Sequence, residues 1–479
     1  MSIKSRLSAF KTTNAYFNAS IVYIIANGIG QGTTLLSNIF FTRYMTKSDY
    51  GLYSNYYSYV ALFVPFVGLN LYYGLINAYS DYKKEIHKLR SSALLLSMFG
   101  IVISALLLVC INHTLGLSMP SIAIFLILAH SYGFFLVNYH INSMNMENCY
   151  IAKGLMLAVP NILQAVFAAI AVVICNTYIS RAIGSTLGIL LCGIVAAVLI
   201  LRSEVPIVNF GYWKYVLKIS LPAIIGSVSI MIMQQCDKVM ITSMIGAEAN
   251  AVYSLVFYIG YILYAVLQAT SGAWQAWLFR VLDAGKKESI TKVQKWYLFF
   301  MTILATGLYM IAPEIIRILS PSDYWHFEYV PPFVVGSYLI LMYTINMGII
   351  QYDKRTDVNS AIVTIAAIMN VMLNYLLIPR FGGVGAAYTS VLSYLLIFVL
   401  TSAYLFVKRE FHFSMIQYLT NACLVTALGA CFYYVKEMIW IRYVFFVAVL
   451  LFEGIYMIRR REDIQSLFGG NIIKSRSGD

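Results

Sequence analysis

Apolar runs of roughly 20 residues recur along the whole chain, each long enough as a helix to cross a bilayer core of about 30 Å. About fourteen such runs are predicted. They centre near Gly30, Val64, Val102, Leu128, Val166, Gly193, Ile230, Leu263, Thr306, Leu341, Ala367, Leu395, Leu424 and Ala448. A short gap, Val435–Ile441, separates the last two. Run length argues for helices rather than barrel strands, so the expected fold class is an all-α polytopic membrane protein.

The polar positions inside these runs carry the candidate chemistry. The run beginning near Val216 holds Gln234, Gln235, Asp237 and Lys238 in its second half. A charge at mid-bilayer depth costs at least about 2.5–3.5 kcal/mol on insertion scales, so these groups are expected to face protein or water rather than lipid. In the first run Tyr23, Asn27, Gln31, Thr34, Asn38 and Thr42 follow one another at steps of three and four, which keeps them on one helix face. At a constant offset this stripe falls on the seventh run: Asn27, Thr34, Asn38 and Thr42 align with Ser227, Gln234, Lys238 and Thr242, and Tyr53-Ser54 with Tyr253-Ser254. An internal duplication of six helices each is the reading. Parallel repeats of this kind place a substrate between the halves. The expected domains are residues 1–205, 206–410 and a pair of extra helices with a tail, 411–479. Interhelical hydrogen bonding by small polar residues is the competing explanation of the stripes, and a local Asp237–Lys238 ion pair that of the charges.

Charge decides orientation. Only 11% of residues are charged, against about 25% in soluble domains, and 60% are hydrophobic. The net charge of +13 would suggest nucleic acid in a soluble protein. Here the basic residues collect on alternate loops, at Lys4, Arg6 and Lys11, Lys83 to Arg90, Arg280 to Lys295, and Arg459, Arg460, Arg461, Lys474 and Arg476. That alternation puts both termini in the cytoplasm and leaves no reason to invoke a nucleic-acid partner. Arg43, Arg181 and Arg317 fall on the far side. No cleavable leader is expected from the polar, basic stretch Met1–Asn18, and the apolar run after it is expected to remain as an anchor. Seven cysteines, among them Cys149 and Cys236, sit in or beside apolar runs with no metal or disulfide spacing.

Other groupings are weaker. The eighth run carries Tyr261, Tyr264, Gln268, Ser271 and Gln275 at helical spacing, with Trp274 and Trp277 beside them. Rings and amides suit sugars, and they equally suit an interfacial aromatic belt. Asn370 and Asn374, followed by Pro379-Arg380-Phe381-Gly382-Gly383, read as architecture, Glu314 and Arg317 as a local ion pair, and His130 and His140 as packing residues. No nucleotide-binding loop or nucleophile elbow is present, so an enzyme or ATP-driven pump is not expected, and no cofactor is.

Three segments carry a family resemblance: Arg43-Tyr44-Met45 through Tyr50-Gly51-Leu52-Tyr53; Leu221-Pro222 with Asp237 and then Ala251-Val252-Tyr253-Ser254; and Asn370 to Asn374 through Pro379, Gly382 and Gly385-Ala386-Ala387. The chain resembles the polysaccharide exporters of the multidrug/oligosaccharidyl-lipid/polysaccharide (MOP) superfamily, in particular bacterial O-antigen flippases, as far as about Lys408. The two further helices resemble those of lipid II flippases. The resemblance implies a flippase of the bacterial inner membrane that moves undecaprenyl-diphosphate-linked oligosaccharide to the periplasmic face by alternating access. It is compatible with coupling to a Na+ or H+ gradient, and the partners it implies besides membrane lipids are the O-antigen polymerase and chain-length machinery. Under that reading Lys238 and Arg43 meet the diphosphate, Asp237 is the ion-coupling carboxylate, and Asn27, Gln31, Asn38, Gln234, Tyr261, Tyr264 and Gln268 line the cavity. A strongly cationic cavity is not expected, because few basic residues lie inside the runs. The alternatives are a multidrug antiporter of the same superfamily, which Lys238 disfavours, and a membrane-embedded polymerase or acyltransferase, for which no large loop and no His–carboxylate constellation is found.

Overall fold

The computed structural model describes residues 3–114, 116, 119–144, 150–203 and 207–459, with side chains from residue 22 onward except 24, 80, 150 and 203. Cys149, Arg460, Arg461, Lys474 and Arg476 lie outside the described residues, as do the side chains of Lys4, Arg6 and Lys11. Among the described residues there are helices and no strands. In chain order they are α1 (Ile3–Tyr44), α2 (Lys47–Val67), α3 (Leu71–Asp81), α4 (Ile86–Thr114), α5 (Ser121–Met144), α6 (Tyr150–Ile174), α7 (Tyr178–Ser203), α8 (Phe210–Met244), α9 (Ala247–Asp283), α10 (Glu288–Leu319), α11 (Val330–Tyr352), α12 (Thr356–Val407), α13 (Met415–Val435) and α14 (Ile439–Arg459). Every run centre named above falls within a helix. Among the described residues, eleven helices are long and apolar enough to span a membrane, or up to twelve if the bent pair α2–α3 is one span. The chain is a polytopic all-α membrane protein.

Two runs are broken in ways the sequence only half announced. The second divides into α2 and α3, bent by 46°, where Leu69 and Asn70 take left-handed φ values of 46° and 53°. Asn tolerates this region better than most residues. The eleventh and twelfth runs join in α12, which breaks at Gly382 (φ 63, ψ -152), three residues beyond Pro379. A residue with a side chain is strained there, so the Pro–Gly pair turns the chain as its composition suggested.

The chain divides into two compact units, Met1–Ala251 and Val252–Asp479. In the first, α2 packs on α5 and α8, α3 on α8, and α6 between α1 and α7. Two apolar clusters, around Leu71, Leu89 and Tyr139 and around Val60, Phe63 and Leu108, form its interior. In the second, α11 packs on α12 and α13, and α10 on α13 and α14. Small polar side chains cross-link its helices: Asn346 donates to Ser402 at 2.8 Å, and Tyr418 donates to Asn346 at 3.0 Å. Large apolar side chains such as Leu106, Phe125, Leu451 and Phe452 remain exposed, as a lipid-facing surface requires.

The offset of the repeat carries into the helix boundaries. α1 ends at Tyr44 and α2 starts at Lys47, while α8 ends at Met244 and α9 starts at Ala247. Thr46 caps α2 by accepting from the Asp49 amide. The start of α9 lies against α2: Asn250 Nδ2 donates to the Gly51 carbonyl at 2.9 Å. A Cβ at position 51 would come within 1.8 Å of the Ala247 carbonyl oxygen, so this crossing requires glycine.

Candidate functional site

α8 carries two successive buried charges in the first unit. Asp237 and Lys238 are 3% and 5% exposed. Being successive on a helix, their side chains leave the axis roughly 100° apart, so the burial of both requires protein on two sides. The Lys238 ammonium donates to Gln235 Oε1 at 3.3 Å. The Ser58 hydroxyl of α2 donates to the same oxygen at 3.2 Å. One turn further on, Thr242 donates back to the Lys238 carbonyl at 2.8 Å.

Two cavities flank this cluster along the α2–α8 seam. One, about 450 Å³, is lined by Tyr57, Asn70, Tyr72, Tyr73, Asn138, Asn142, Ser227 and Met231, among others. Asn70, at the α2–α3 bend, donates to Ser227 at 2.8 Å inside it. The other, about 310 Å³, is lined by Asn55, Tyr56, Tyr59, Tyr178, Val239, Thr242 and Ser243, among others. In chain order the Gln235–Lys238 segment of α8 lies between Met231 and Val239, so the buried charges stand between the two spaces. The linings combine aromatic faces, amides and hydroxyls with apolar walls.

A second buried cation lies at the junction of α1, α2 and α7. Arg181 is 6% exposed. Its guanidinium lies 3.7 Å from the Phe41 ring centroid and 3.8 Å from that of Tyr53, with Tyr50 at 5.2 Å. Among the described residues its Nε and Nη1 have no hydrogen-bond partner. The neighbouring Tyr50 hydroxyl donates to Asn38 Oδ1 at 3.0 Å. Stacking against aromatic faces compensates part of the desolvation of a guanidinium.

The residues picked out by spacing have unequal fates. Lys238, Asp237 and Asn38 are buried, and Gln234 is half-buried. Asn27, Gln31 and Arg43 are exposed; Asn27 donates to the Tyr23 carbonyl at 2.8 Å, and Arg43 to the Ile39 carbonyl at 3.2 Å. Tyr261 and Tyr264 belong to the second unit, ring centroids 5.1 Å apart, and Gln268 is exposed there. Trp274 stacks on Tyr297 at 5.3 Å, and Gln275 donates to Gln351 at 2.8 Å. His130 is fully buried, 3.0 Å from the Tyr56 hydroxyl, 3.2 Å from that of Thr186 and 3.1 Å from Gln164 Oε1. Glu314 and Arg317 approach to 3.7 Å, as expected, and Glu314 also pairs with Arg442 of α14. The sequence pattern missed Ser58, Asn55, Asn70 and Arg181 as members of this region, and it named Gln235 without placing it on the stripe. The signal for Arg181 was its place near the start of an apolar run, where it was read as a loop charge.

The family profile described as polysaccharide biosynthesis protein matches residues 18–274, more than half of the chain and all of α2 to α8. The chain belongs to the polysaccharide biosynthesis protein family. Curated relatives of this family member match over shorter stretches. An uncharacterized membrane protein of Methanocaldococcus jannaschii, MJ1068, is 27% identical over 202 residues, 40% of this chain and 37% of its own. The probable multidrug resistance protein NorM of Bacillus cereus is 27% identical over 145 residues, 28% of this chain and 32% of its own. The chain therefore spans about a third of the length of these relatives. Solved structures extend the likeness of the fold. The lipid II flippase MurJ in an inward closed conformation matches with a TM-score of 0.67 at 16% identity, over 93% of this chain and all of that one. An inward-facing multidrug resistance MATE family transporter of the MOP superfamily matches with a TM-score of 0.60 at 12% identity, over 86% of this chain and 99% of that one. The polysaccharide biosynthesis family member thus has the fold seen in MOP-superfamily transporters.

Proposed function

We propose that the chain is a flippase of a bacterial inner membrane, carrying undecaprenyl-diphosphate-linked oligosaccharide, such as an O-antigen repeat unit, from the cytoplasmic to the periplasmic face. Family membership over residues 18–274 is the observation that carries this reading. The chemistry along α8 supports it. Lys238 offers a compact charge to a diphosphate. The tyrosines and asparagines beside it offer sugars ring faces for their apolar side and amides for their hydroxyls. In this reading residues 1–205 and 206–410 are the two repeats that alternate access, 411–479 add the last two helices, and both termini are cytoplasmic. Asp237 is the coupling carboxylate for Na+ or H+. Arg43, Asn27, Gln31, Asn38, Gln234, Tyr261, Tyr264 and Gln268 meet the substrate along its path, and the O-antigen polymerase and chain-length machinery receive the product. The protein moves its substrate without covalent chemistry.

The sequence likeness to a probable multidrug resistance protein favours a drug antiporter as the second reading. A buried ammonium repels a cationic drug, which weighs against it. Complementation separates the two. The chain, with its own glycan gene cluster, is expressed in a bacterium lacking its O-antigen flippase, and lipopolysaccharide is stained for surface polymer. Wild type is expected to restore polymer, while Lys238→Ala and Asp237→Asn, inserted at equal levels, lose it at least about tenfold. No polymer together with raised drug resistance overturns the flippase reading. Full activity of both variants removes α8 from the site and leaves the substrate class standing.

A further inference from the structure

The last two helices hold a carboxyl group that the reading above does not use. Glu453, in the middle of α14, is 3% exposed. Among the described residues its Oε2 has no hydrogen-bond partner. Its Oε1 meets the Thr306 hydroxyl of α10 at 3.3 Å. That hydroxyl has a nearer acceptor, the Thr302 carbonyl at 2.9 Å. A hydroxyl has one proton to give. If Thr306 gives it to Thr302, the contact with Glu453 is a hydrogen bond only when the carboxyl supplies the proton. One turn away on α10, the Thr302 hydroxyl lies 3.1 Å from Asn421 Oδ1 of α13 and 3.1 Å from the Tyr338 hydroxyl of α11. Thr302 and Thr306 therefore link oxygen atoms of α11, α13 and α14 into a polar column along α10, which ends on a carboxyl that, among the described residues, has no basic partner. A bare carboxylate in such a place is expelled or neutralised.

We propose that Glu453 binds a small monovalent cation, a proton or Na+, inside the packing of α10, α13 and α14. The geometry fits a protonated acid that donates to Thr306, which in turn donates to Thr302. No other ionisable group of α10, α13 or α14 is shown in contact with Glu453 among the described residues; on α10, Tyr297 meets the Thr270 hydroxyl, and on α13 Tyr433 and Tyr434 are exposed. On α10, Glu314 and Arg317 pair with each other and with Arg442 of α14, Tyr309 donates to the Val425 carbonyl, and Lys295 lies over the Tyr456 ring at 5.6 Å. On α13, Tyr418 donates to Asn346, and Cys423 and Cys431 are exposed. Tyr338 of α11, which donates to the Leu298 carbonyl at 3.2 Å, is the titratable group that shares the polar column. The proposal concerns what occupies the site and stands apart from the identity of the transported molecule.

The test is thermal unfolding of the purified full chain in detergent, across a pH series, in NaCl and in choline chloride of equal ionic strength. Wild type is compared with Glu453→Gln, which copies the protonated shape. Bound proton stabilises the fold at low pH and its contribution is lost as pH rises, because the folded state then holds the proton more tightly than the unfolded one. The wild-type midpoint should therefore fall by at least about 2 °C relative to Glu453→Gln as pH rises. A proton site gives this in both salts, and a Na+ site gives it in choline and is protected by NaCl. A wild-type-minus-variant difference that ignores both pH and Na+ overturns the proposal. If Glu453→Gln does not fold, carbodiimide labelling of wild-type membranes, mapped by mass spectrometry, decides. Labelling at Glu453 that fades with rising pH or with Na+ supports the site, and labelling indifferent to both, or none at any pH, overturns it.

Discussion

Arg442 holds the last helix in place, and its removal has a cost that follows from the structure. Its side chain is 0% exposed, the largest fully buried one among the described residues. The guanidinium donates to the Met310 carbonyl of α10 at 3.0 Å, to the Lys436 carbonyl at the end of α13, and to the Glu314 carboxylate of α10. Arg442→Met keeps much of the apolar stem and removes every donor. Losing one partner of a buried ion pair costs about 3–5 kcal/mol. Glu314 is part-exposed and retains Arg317 at 3.7 Å, which reduces that share. The two carbonyls lose about 1 kcal/mol each at the net value of an ordinary hydrogen bond. A total of about 2–4 kcal/mol follows, which at about 1 °C per kcal/mol for a chain of 479 residues is a fall of roughly 2–4 °C in the unfolding midpoint. Fluorescence-detected gel filtration after stepwise heating reads it. Glu314→Gln in the Arg442→Met background should recover part of the loss, because it removes the carboxylate left behind. A midpoint for Arg442→Met within the scatter of wild type would refute the argument, as would a double variant worse than the sum of the singles.

Three further outcomes are expected. Gly51→Ala drives a methyl into the Ala247 carbonyl, so the variant should show a large loss of monodisperse protein, while Ala251→Gly, at the equivalent position, should be milder. His130→Leu leaves the polar groups of Tyr56, Thr186 and Gln164 with fewer partners and should lower stability by about 1–3 kcal/mol, read by the same heating series. Outside the membrane, the hydrogen bond of Glu410 to Asp353 raises the Glu410 carboxyl above its usual range. A group whose folded-state pKa is raised stabilises the fold below its unfolded value and loses that contribution as pH rises through the raised one. Glu410→Gln should therefore flatten the slope of midpoint against pH just above the ordinary carboxylate range, and an unchanged slope would remove the pair from consideration.

The spans were legible because bilayer crossing demands long apolar runs, and every predicted centre lies in a helix. The repeat rests on few identities in the sequence; the helices end at Tyr44 and Met244 and restart at Lys47 and Ala247, at the same offset. The bend at Leu69–Asn70 was not legible, since neither residue announces a left-handed backbone as Gly382 does. For the site, a buried charge in an apolar run is a strong signal, and it found Asp237 and Lys238. Its neighbours depend on which helix lies opposite, which spacing within one helix does not encode. That is why Gln234 was chosen on the stripe while Gln235 receives Lys238, and why Ser58 was passed over. Asn27 and Gln31 share a face with Asn38, yet their exposure separates them from it.

The link between α2 and α8 beside Lys238 depends on a choice made by one hydroxyl. Ser58 Oγ lies 3.2 Å from Gln235 Oε1 and 3.0 Å from the Ser54 carbonyl of its own helix. One proton serves two acceptors, so a rotation of the Ser58 hydroxyl trades the link across the seam for one within α2. The amide oxygen then serves Lys238 alone and holds its ammonium more firmly. A latch of this kind releases without exposing an unsatisfied donor, so α2 and α8 can part there by small steps while the rest of the seam stays closed.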